Sequence, residues 1–337
     1  MGYSNEKTAA INEAFLNMIE NAGDGYCKSA ADAASEYTRV FMREESFTDK
    51  VLPPITVGND QLDRQVDTDK PVIVVDKEPS SPAAISVPFG QLPVNHYIRG
   101  PRYRVVFERI LSTRYNKDAD ELRTYDMDIR QVLSDNMIKD MATEKDTKFI
   151  AVCDAIVGTR YYASLDGDDS LDGTTEATAV TCGSGVGRYY NLFDSGGISR
   201  DTLIEIKKIM PSTASRLEVQ TFLCNNITIK DVEKFDRNEM GGDLSEEVLI
   251  NGWAERTFLG CRWIITIKQD LVPNNTFYCF AEPKFFGKHF LLEDTTMWIK
   301  KEAFLLEFFA YQTAGLSIGN TNAVTKCVIS RTALAAA

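Results

Sequence analysis

Ile129-Arg130-Gln131-Val132-Leu133-Ser134-Asp135-Asn136-Met137-Ile138-Lys139-Asp140-Met141 sets Ile129, Leu133, Met137 and Met141 at four-residue steps. That interval returns a side chain to nearly the same face of an α-helix, so the stretch predicts a helix with one apolar stripe. Phe149, Val152, Cys153 and Ile156 continue the stripe, and the signal spans about Asp120 to Val157. At 1.5 Å per residue such a helix is on the order of 50 Å long, more than an ordinary domain helix. Asp126, Asp128, Asp135, Asp140, Glu144 and several lysines supply its polar face.

Upstream the texture is different. Eight of the eleven prolines fall between Pro53 and Pro101. Proline fixes φ and removes a ladder donor, so this window predicts arm, edge strand and loop rather than a central sheet. Tyr103, Val105 and Phe107 alternate with Arg102, Arg104 and Val106, which predicts a strand after it. With few apolar residues of its own, the window reads as a protruding hairpin supported by a neighbour. Further upstream, Ile11, Phe15, Met18 and Ala22 form a helical stripe behind a Ser4 N-cap. A second helix is expected from Ser29 to about Glu45, with Ala30, Ala33, Ala34, Tyr37, Val40 and Phe41 on one side.

Downstream, no Lys or Arg occurs from Tyr161 to Gly187, while acids cluster among Gly, Ser and Thr. That predicts an exposed loop. A capped helix follows over Ser199–Met210 with Pro211 as its stop, then a strand over Leu217–Cys224 and a short helix over Ile227–Phe235. Arg262–Lys268 is a strong strand, turned at Pro273, Asn274 and Asn275 into Thr276–Ala281. A long β-run, Phe290–Tyr311, and a last strand near Asn322–Ile329 complete the chain. The mixture is α+β.

Composition removes several classes of function. The 337 residues carry 37 Lys and Arg against 49 Asp and Glu, a net charge of -12, which argues against wrapping nucleic acid. No apolar stretch reaches the ~18 to 20 residues of a membrane span. The N-terminus lacks the basic and apolar regions of a signal peptide, so a cytoplasmic setting is expected. Seven cysteines, none within 17 positions of another, show neither a disulfide framework nor a paired zinc motif, and are read as buried thiols.

No catalytic, cofactor or metal residue emerges. Asp168-x-Ser170-x-Asp172-Gly173 matches half a calcium loop, but Ala179 stands where a bidentate Glu is required. Gly183-Ser184-Gly185-Val186-Gly187 lacks phosphate-loop spacing, and the next helix starts too late to cap a phosphate. The two histidines, His96 and His289, have no local Ser or Cys motif and read as structural. One charge pattern stands out. Arg99 to Lys117 holds six bases and one acid, whereas Asp118 to Lys148 holds nine acids and five bases. The candidate contacts between copies are therefore Arg99, Arg102, Arg104 and Arg109 on the hairpin against Asp126, Asp128, Asp135 and Asp140 on the helix of an adjacent copy.

Arm, unsupported hairpin, very long helix, mixed α/β region, long β-run and returning strand form a rare order of parts. Locally, Leu259-Gly260-Cys261-Arg262-Trp263, Phe280-Ala281-Glu282-Pro283, Trp298 to Tyr311 and Gly315-Leu316-Ser317-Ile318-Gly319-Asn320 add texture. Together they resemble the major capsid proteins of tailed bacteriophages, the Hong Kong ninety-seven fold, over nearly the whole chain. The resemblance implies an N-terminal arm (1–70), an extended E-loop region (71–117), a spine helix of the peripheral domain (118–158), an axial domain (159–285), long peripheral strands (286–312) and a returning axial strand with tail (313–337). It implies a non-enzymatic protein whose copies form pentamers and hexamers of an icosahedral head in the virion, assembled in the host cytoplasm. Its expected partners are itself, a portal, a decoration protein and packaged double-stranded DNA held without specific binding.

Two departures add expectations. No Lys lies between Lys77 and Lys117, so an E-loop isopeptide weld is not expected, and the shell should be noncovalent. Only about 70 residues precede the hairpin, so a separate scaffolding protein is expected. The competing readings are a tail-tube or decoration protein, an encapsulin-type shell, and an enzyme on an α/β core.

Overall fold

The computed structural model describes residues 46–65, 68–79, 84, 86–90, 92, 95, 97–118, 121, 129–158, 188–193, 197–213, 215–232, 257–302 and 304–330. In chain order the elements are α1 (Phe47–Val51), β1 (Pro54–Thr56), β2 (Asp63–Arg64), β3 (Pro71–Asp76), β4 (Arg102–Val106), β5 (Glu108–Leu111), β6 (Tyr115–Asp118) and α2 (Ile129–Val157). There follow β7 (Tyr189–Phe193), α3 (Arg200–Ser212), β8 (Thr221–Asn225), α4 (Ile229–Val232), β9 (Thr257–Phe258), β10 (Cys261–Thr266), β11 (Thr276–Phe280), α5 (Pro283–Phe286), β12 (Gly287–Glu302), β13 (Leu305–Ile318) and β14 (Val324–Ser330). The two helices expected near the N-terminus, His96, the acidic stretch 166–176 and the glycine run 183–187 lie outside the described residues.

Helix α2 is the long helix the stripe predicted, 29 residues and so about 43 Å in its described part. Met137, Met141, Phe149 and Cys153 are buried along it. Its C-terminal turn is tied down by Arg188, which donates to the Ile156 carbonyl at 3.1 Å and to Thr321 and Asn322. A cation there complements the exposed carbonyls of the helix end. Helix α3 begins as expected at Ser199, whose hydroxyl accepts from the Thr202 amide, and Pro211 sits in its last turn.

The strands form three sheets. Sheet one orders β1-β12-β13-β5, with β6 also on β13; sheet two orders β7-β14-β11-β8-β10-β9; sheet three is β2-β3-β4. Two expectations are corrected here. The β-run Phe290–Tyr311 is a hairpin of two antiparallel strands, β12 and β13, whose ends pair at Glu302 and Leu305. Apolar residues recur through both strands, and no Gly, Pro or Asn marks the turn between them in the sequence. Register shifts at Leu291/Glu293 and Glu293/Thr296 bend this hairpin where bulges break the ladder. Strands β10 and β11, although joined by the Pro273–Asn275 turn, do not pair with each other. Strand β8 lies between them, parallel to β10 and antiparallel to β11. A fully buried strand finds partners by burial on both faces, which a local turn signal does not encode.

The main core joins α1, α2 and α3 to sheet two. Phe149 of α2 sits at its centre, with ring centroids 5.5 Å from Phe280 and 6.2 Å from both Phe47 and Phe286. All five described cysteines are buried free thiols, as expected, and burial pushes Cys224 up to about 12. A second, smaller core of Val57, Val75, Val105, Phe107 and Phe290 lies under sheet three. That corrects a further expectation. The base of the Pro-rich hairpin has internal support, because Val57 and Phe290 arrive from distant parts of the chain to supply it.

Candidate assembly surface

The hairpin leaves sheet three at Asp76 and returns at Arg102. Lys77 donates its amide to the Pro101 carbonyl at 2.8 Å, and Arg102 Nε lies 2.8 Å from an Asp76 carboxylate oxygen, closing the neck of the arm. Both side chains of that ion pair are mostly exposed, so it orients the neck more than it stabilises it. Below the neck, Gly315 of β13 and Gly319 just after it lie close against the hairpin base, where a larger residue would push its neighbours aside. A Cβ on Gly315 would stand 3.0 Å from Val105 and 3.1 Å from Phe107, and one on Gly319 would stand 3.0 Å from the Tyr103 ring.

Beyond the neck the arm presents apolar side chains to solvent. Phe89 is 110% exposed, Leu92 91%, Tyr97 89% and Ile98 55%. Scattered exposed apolar residues are ordinary, but four large ones on one protruding loop mark a surface built to be covered. The sequence expectation placed an arm here without naming these four. Their signal was available as large apolar residues set among prolines with no strand or helix period to absorb them.

The charge candidates distribute unevenly. Arg99 is exposed at the neck. Arg102 is held by Asp76, Arg109 lies over the Tyr311 ring at 5.4 Å, and Asp140 accepts from the Tyr115 hydroxyl at 3.2 Å. Asp126 and Asp128 lie outside the described residues, and of Asp135 only the helical backbone is described. Within one chain the helix meets the arm base with the opposite sign. Lys148 of α2 lies 2.8 Å from Glu108 of β5, and the Lys148 hydrogen bond and charge hold the Glu108 carboxyl below its usual value.

Two buried polar clusters fix α1 against α2, and sequence reasoning found neither. Asp146, fully buried, accepts from the Ser46 hydroxyl, from the Thr48 hydroxyl at 2.7 Å and amide at 3.2 Å, and pairs with Lys268 at 2.6 Å. Asp49 pairs with Lys145 at 2.6 Å and faces His289 Nδ1 at 3.3 Å. Burial opposes ionisation of Asp49, but the adjacent His289 imidazole and the Lys145 ammonium outweigh it and hold the carboxyl below its ordinary value. Nothing in either cluster resembles a reaction centre. They join elements through a low-dielectric interior, where the cost of a missing partner enforces the arrangement. Among the described residues no group of three or more His, Cys, Asp or Glu is placed to hold a metal, and no helix is long and apolar enough to cross a membrane.

An extended hairpin on a three-stranded base, a long helix against a bent β-hairpin, and a buried six-stranded sheet make up the described fold. No protein-family profile and no curated protein matches the chain. Solved structures do match. One from Gordonia phage Cozz aligns with a TM-score of 0.51 at 12% identity, over 85% of this chain and 87% of its own. One from Mycobacterium phage Ogopogo gives 0.51 at 10% identity over 85% and 92%. The capsid structure of the cyanophage P-SCSP1u gives 0.50 at 10% identity over 80% and 86%. The fold is therefore the mixed α+β fold of phage capsid structures, the Hong Kong ninety-seven fold, retained at low sequence identity.

Proposed function

We propose that this chain is the shell subunit of a tailed-phage head, with copies forming pentamers and hexamers of an icosahedral capsid around double-stranded DNA. The observation that carries the reading is the arm. It stands on a rigid base, yet its tip exposes Phe89, Leu92, Tyr97 and Ile98, which a solitary subunit has no means to bury. The capsid fold supplies the geometry in which neighbours cover such tips. In this reading residues 1–70 are the N-terminal arm, 71–117 the E-loop region, 118–158 the spine helix, 159–285 the axial domain, 286–312 the peripheral strands and 313–337 the returning strand and tail.

The role is structural and not catalytic. A net charge of -12 suits a container that holds DNA without gripping it. The absence of Lys between Lys77 and Lys117 supports a noncovalent shell. A separate scaffolding protein and a portal complete the assembly. Between copies, Arg99 and its neighbours Arg102, Arg104 and Arg109 face Asp126, Asp128, Asp135 and Asp140. Arg99 and Arg104, both exposed, are the leading members because Arg102 and Arg109 are engaged within their own chain. Negative-stain microscopy of the purified full chain, alone and with its scaffold, tests the proposal. Closed shells, and chains that run as monomers in boiling detergent, are the expected result. Tubes, or dispersed monomers at every concentration with scaffold present, would refute it.

A further inference from the structure

A cleft of about 430 Å³ opens between α2, the hairpin base and β13, within the range of about 300 to 1,000 Å³ usual for ligand pockets. Lys145, Lys148 and Val152 line it from one face of α2, and the alternate residues Arg104, Val106, Glu108 and Ile110 line it from β4 and β5. With Leu316 of β13, the three aliphatic residues among these make its walls apolar. Its charged groups lie at two levels. Arg104 and Glu108 are exposed at the mouth, where Lys148 ties α2 to Glu108 at 2.8 Å; Arg104 has no ion-pair partner among the described residues. Lys145 and His289 are buried at the inner end beside Thr48.

The inner end is short of acceptors. Lys145 and His289 share one carboxylate, that of Asp49, at 2.6 and 3.3 Å, and the Thr48 hydroxyl donates to Asp146. An ammonium carries three donors, and among the described residues Lys145 uses one of them, on Asp49. Buried donors left without an acceptor are costly, so this end calls for an oxygen from outside the chain. The charge count sets its valence. Arg104, Lys145 and Lys148 against Glu108 and Asp49 leave one positive charge with His289 neutral, which a monoanion cancels. The apolar walls between the two levels call for a hydrocarbon tail on that anion, since a bare inorganic ion would leave them uncovered. The hairpin of another copy does not fit this description, because residues 79–101 contain no Asp or Glu.

We propose that the cleft binds an apolar monocarboxylate, an aliphatic acid of medium length, whose carboxylate accepts from Lys145 and whose tail lies between Val106, Val152 and Leu316. Bound there, one small molecule touches the long helix, the hairpin base and β13 together, and so fixes the hairpin base against the helix. The site is a property of the single subunit and does not depend on shell formation.

Equilibrium dialysis of the full chain against labelled octanoate, octan-1-ol and octylammonium tests this. Octanoate should bind at one per chain, the uncharged alcohol at least about tenfold more weakly, and the cation not at all. Lys145→Met should remove the preference for octanoate over octan-1-ol. Because that substitution also takes a partner from Asp49, Val152→Phe is the second variant: it sits at a half-buried position of α2, fills the cleft and leaves the exposed side chains of the arm tip in place. It should weaken octanoate binding at least about tenfold, with an unchanged circular dichroism spectrum. No saturable octanoate binding, equal binding of octanoate and octan-1-ol, or octanoate binding that survives Val152→Phe and therefore lies on another apolar surface would each overturn the proposal.

Discussion

Replacing Phe89 and Leu92 together by alanine strips the arm tip of its two most exposed large side chains, at 110% and 91% accessibility. Neither rests on its own subunit, so the substitution should leave the isolated fold within about 0.5 kcal/mol of the parent. In the proposed shell both are covered, and full burial of each such side chain is worth about 1.5 to 3 kcal/mol. The pair therefore contributes about 3 to 6 kcal/mol to each arm contact, or about 10² to 10⁴ in its equilibrium constant. The subunit concentration at which light scattering first detects shells should rise steeply. Far-UV circular dichroism and the denaturant midpoint of unassembled subunits should not move. An unchanged assembly threshold would refute the argument that the tip is buried between copies. Loss of fold in the isolated double variant would refute the claim that it rests on nothing within the chain.

Three further outcomes follow from the interior. Asp146→Ala removes the acceptor shared by Ser46, Thr48 and Lys268 and should cost about 3 kcal/mol, seen as a lower urea midpoint with an unchanged slope. Gly287→Ala would place a Cβ 2.5 Å from the Ser317 carbonyl oxygen, whereas Gly100→Ala meets nothing within 4 Å. The first should destabilise by about 1 to 3 kcal/mol and the second should be near neutral, compared by thermal melts. Asp49 has a carboxyl held below its ordinary 3.8, so its contribution is present above that value and is lost as pH falls through the lower folded value. Asp49→Asn should therefore lower stability at neutral pH and flatten the loss of stability below about pH 4. Parallel pH curves for parent and variant would count against that assignment.

What the sequence made legible is what local periodicity encodes. The four-residue steps of Met137 and Met141 describe a helix face, and they are buried on it; Ser199 announces a helix start and caps it. What stayed hidden depends on partners far along the chain. The order β11-β8-β10 could not be read because β8 enters between two strands that follow it, and pairing of buried strands leaves no local mark. Asp146 reaches Thr48 and Lys268 across 98 and 122 positions, so the cluster appears only once the fold has closed. The arm was legible from its prolines. Its base was not, since Val57 and Phe290 complete a core that the intervening sequence alone lacks.

Strand β14 lies inside sheet two, parallel to β7 on one side and antiparallel to β11 on the other. A chain emerging from the ribosome therefore carries β7 and β11 with open edges until residues 324–330 arrive between them. Completion of that sheet waits for nearly the full described length, whereas the arm tip is synthesised early. A subunit caught before β14 inserts would show neighbours both a sticky arm and two unpaired strand edges, which is the state most prone to misassembly. Truncation ahead of Val324 should thus yield an aggregate rather than the proposed shell subunit, even though every residue of the arm is retained.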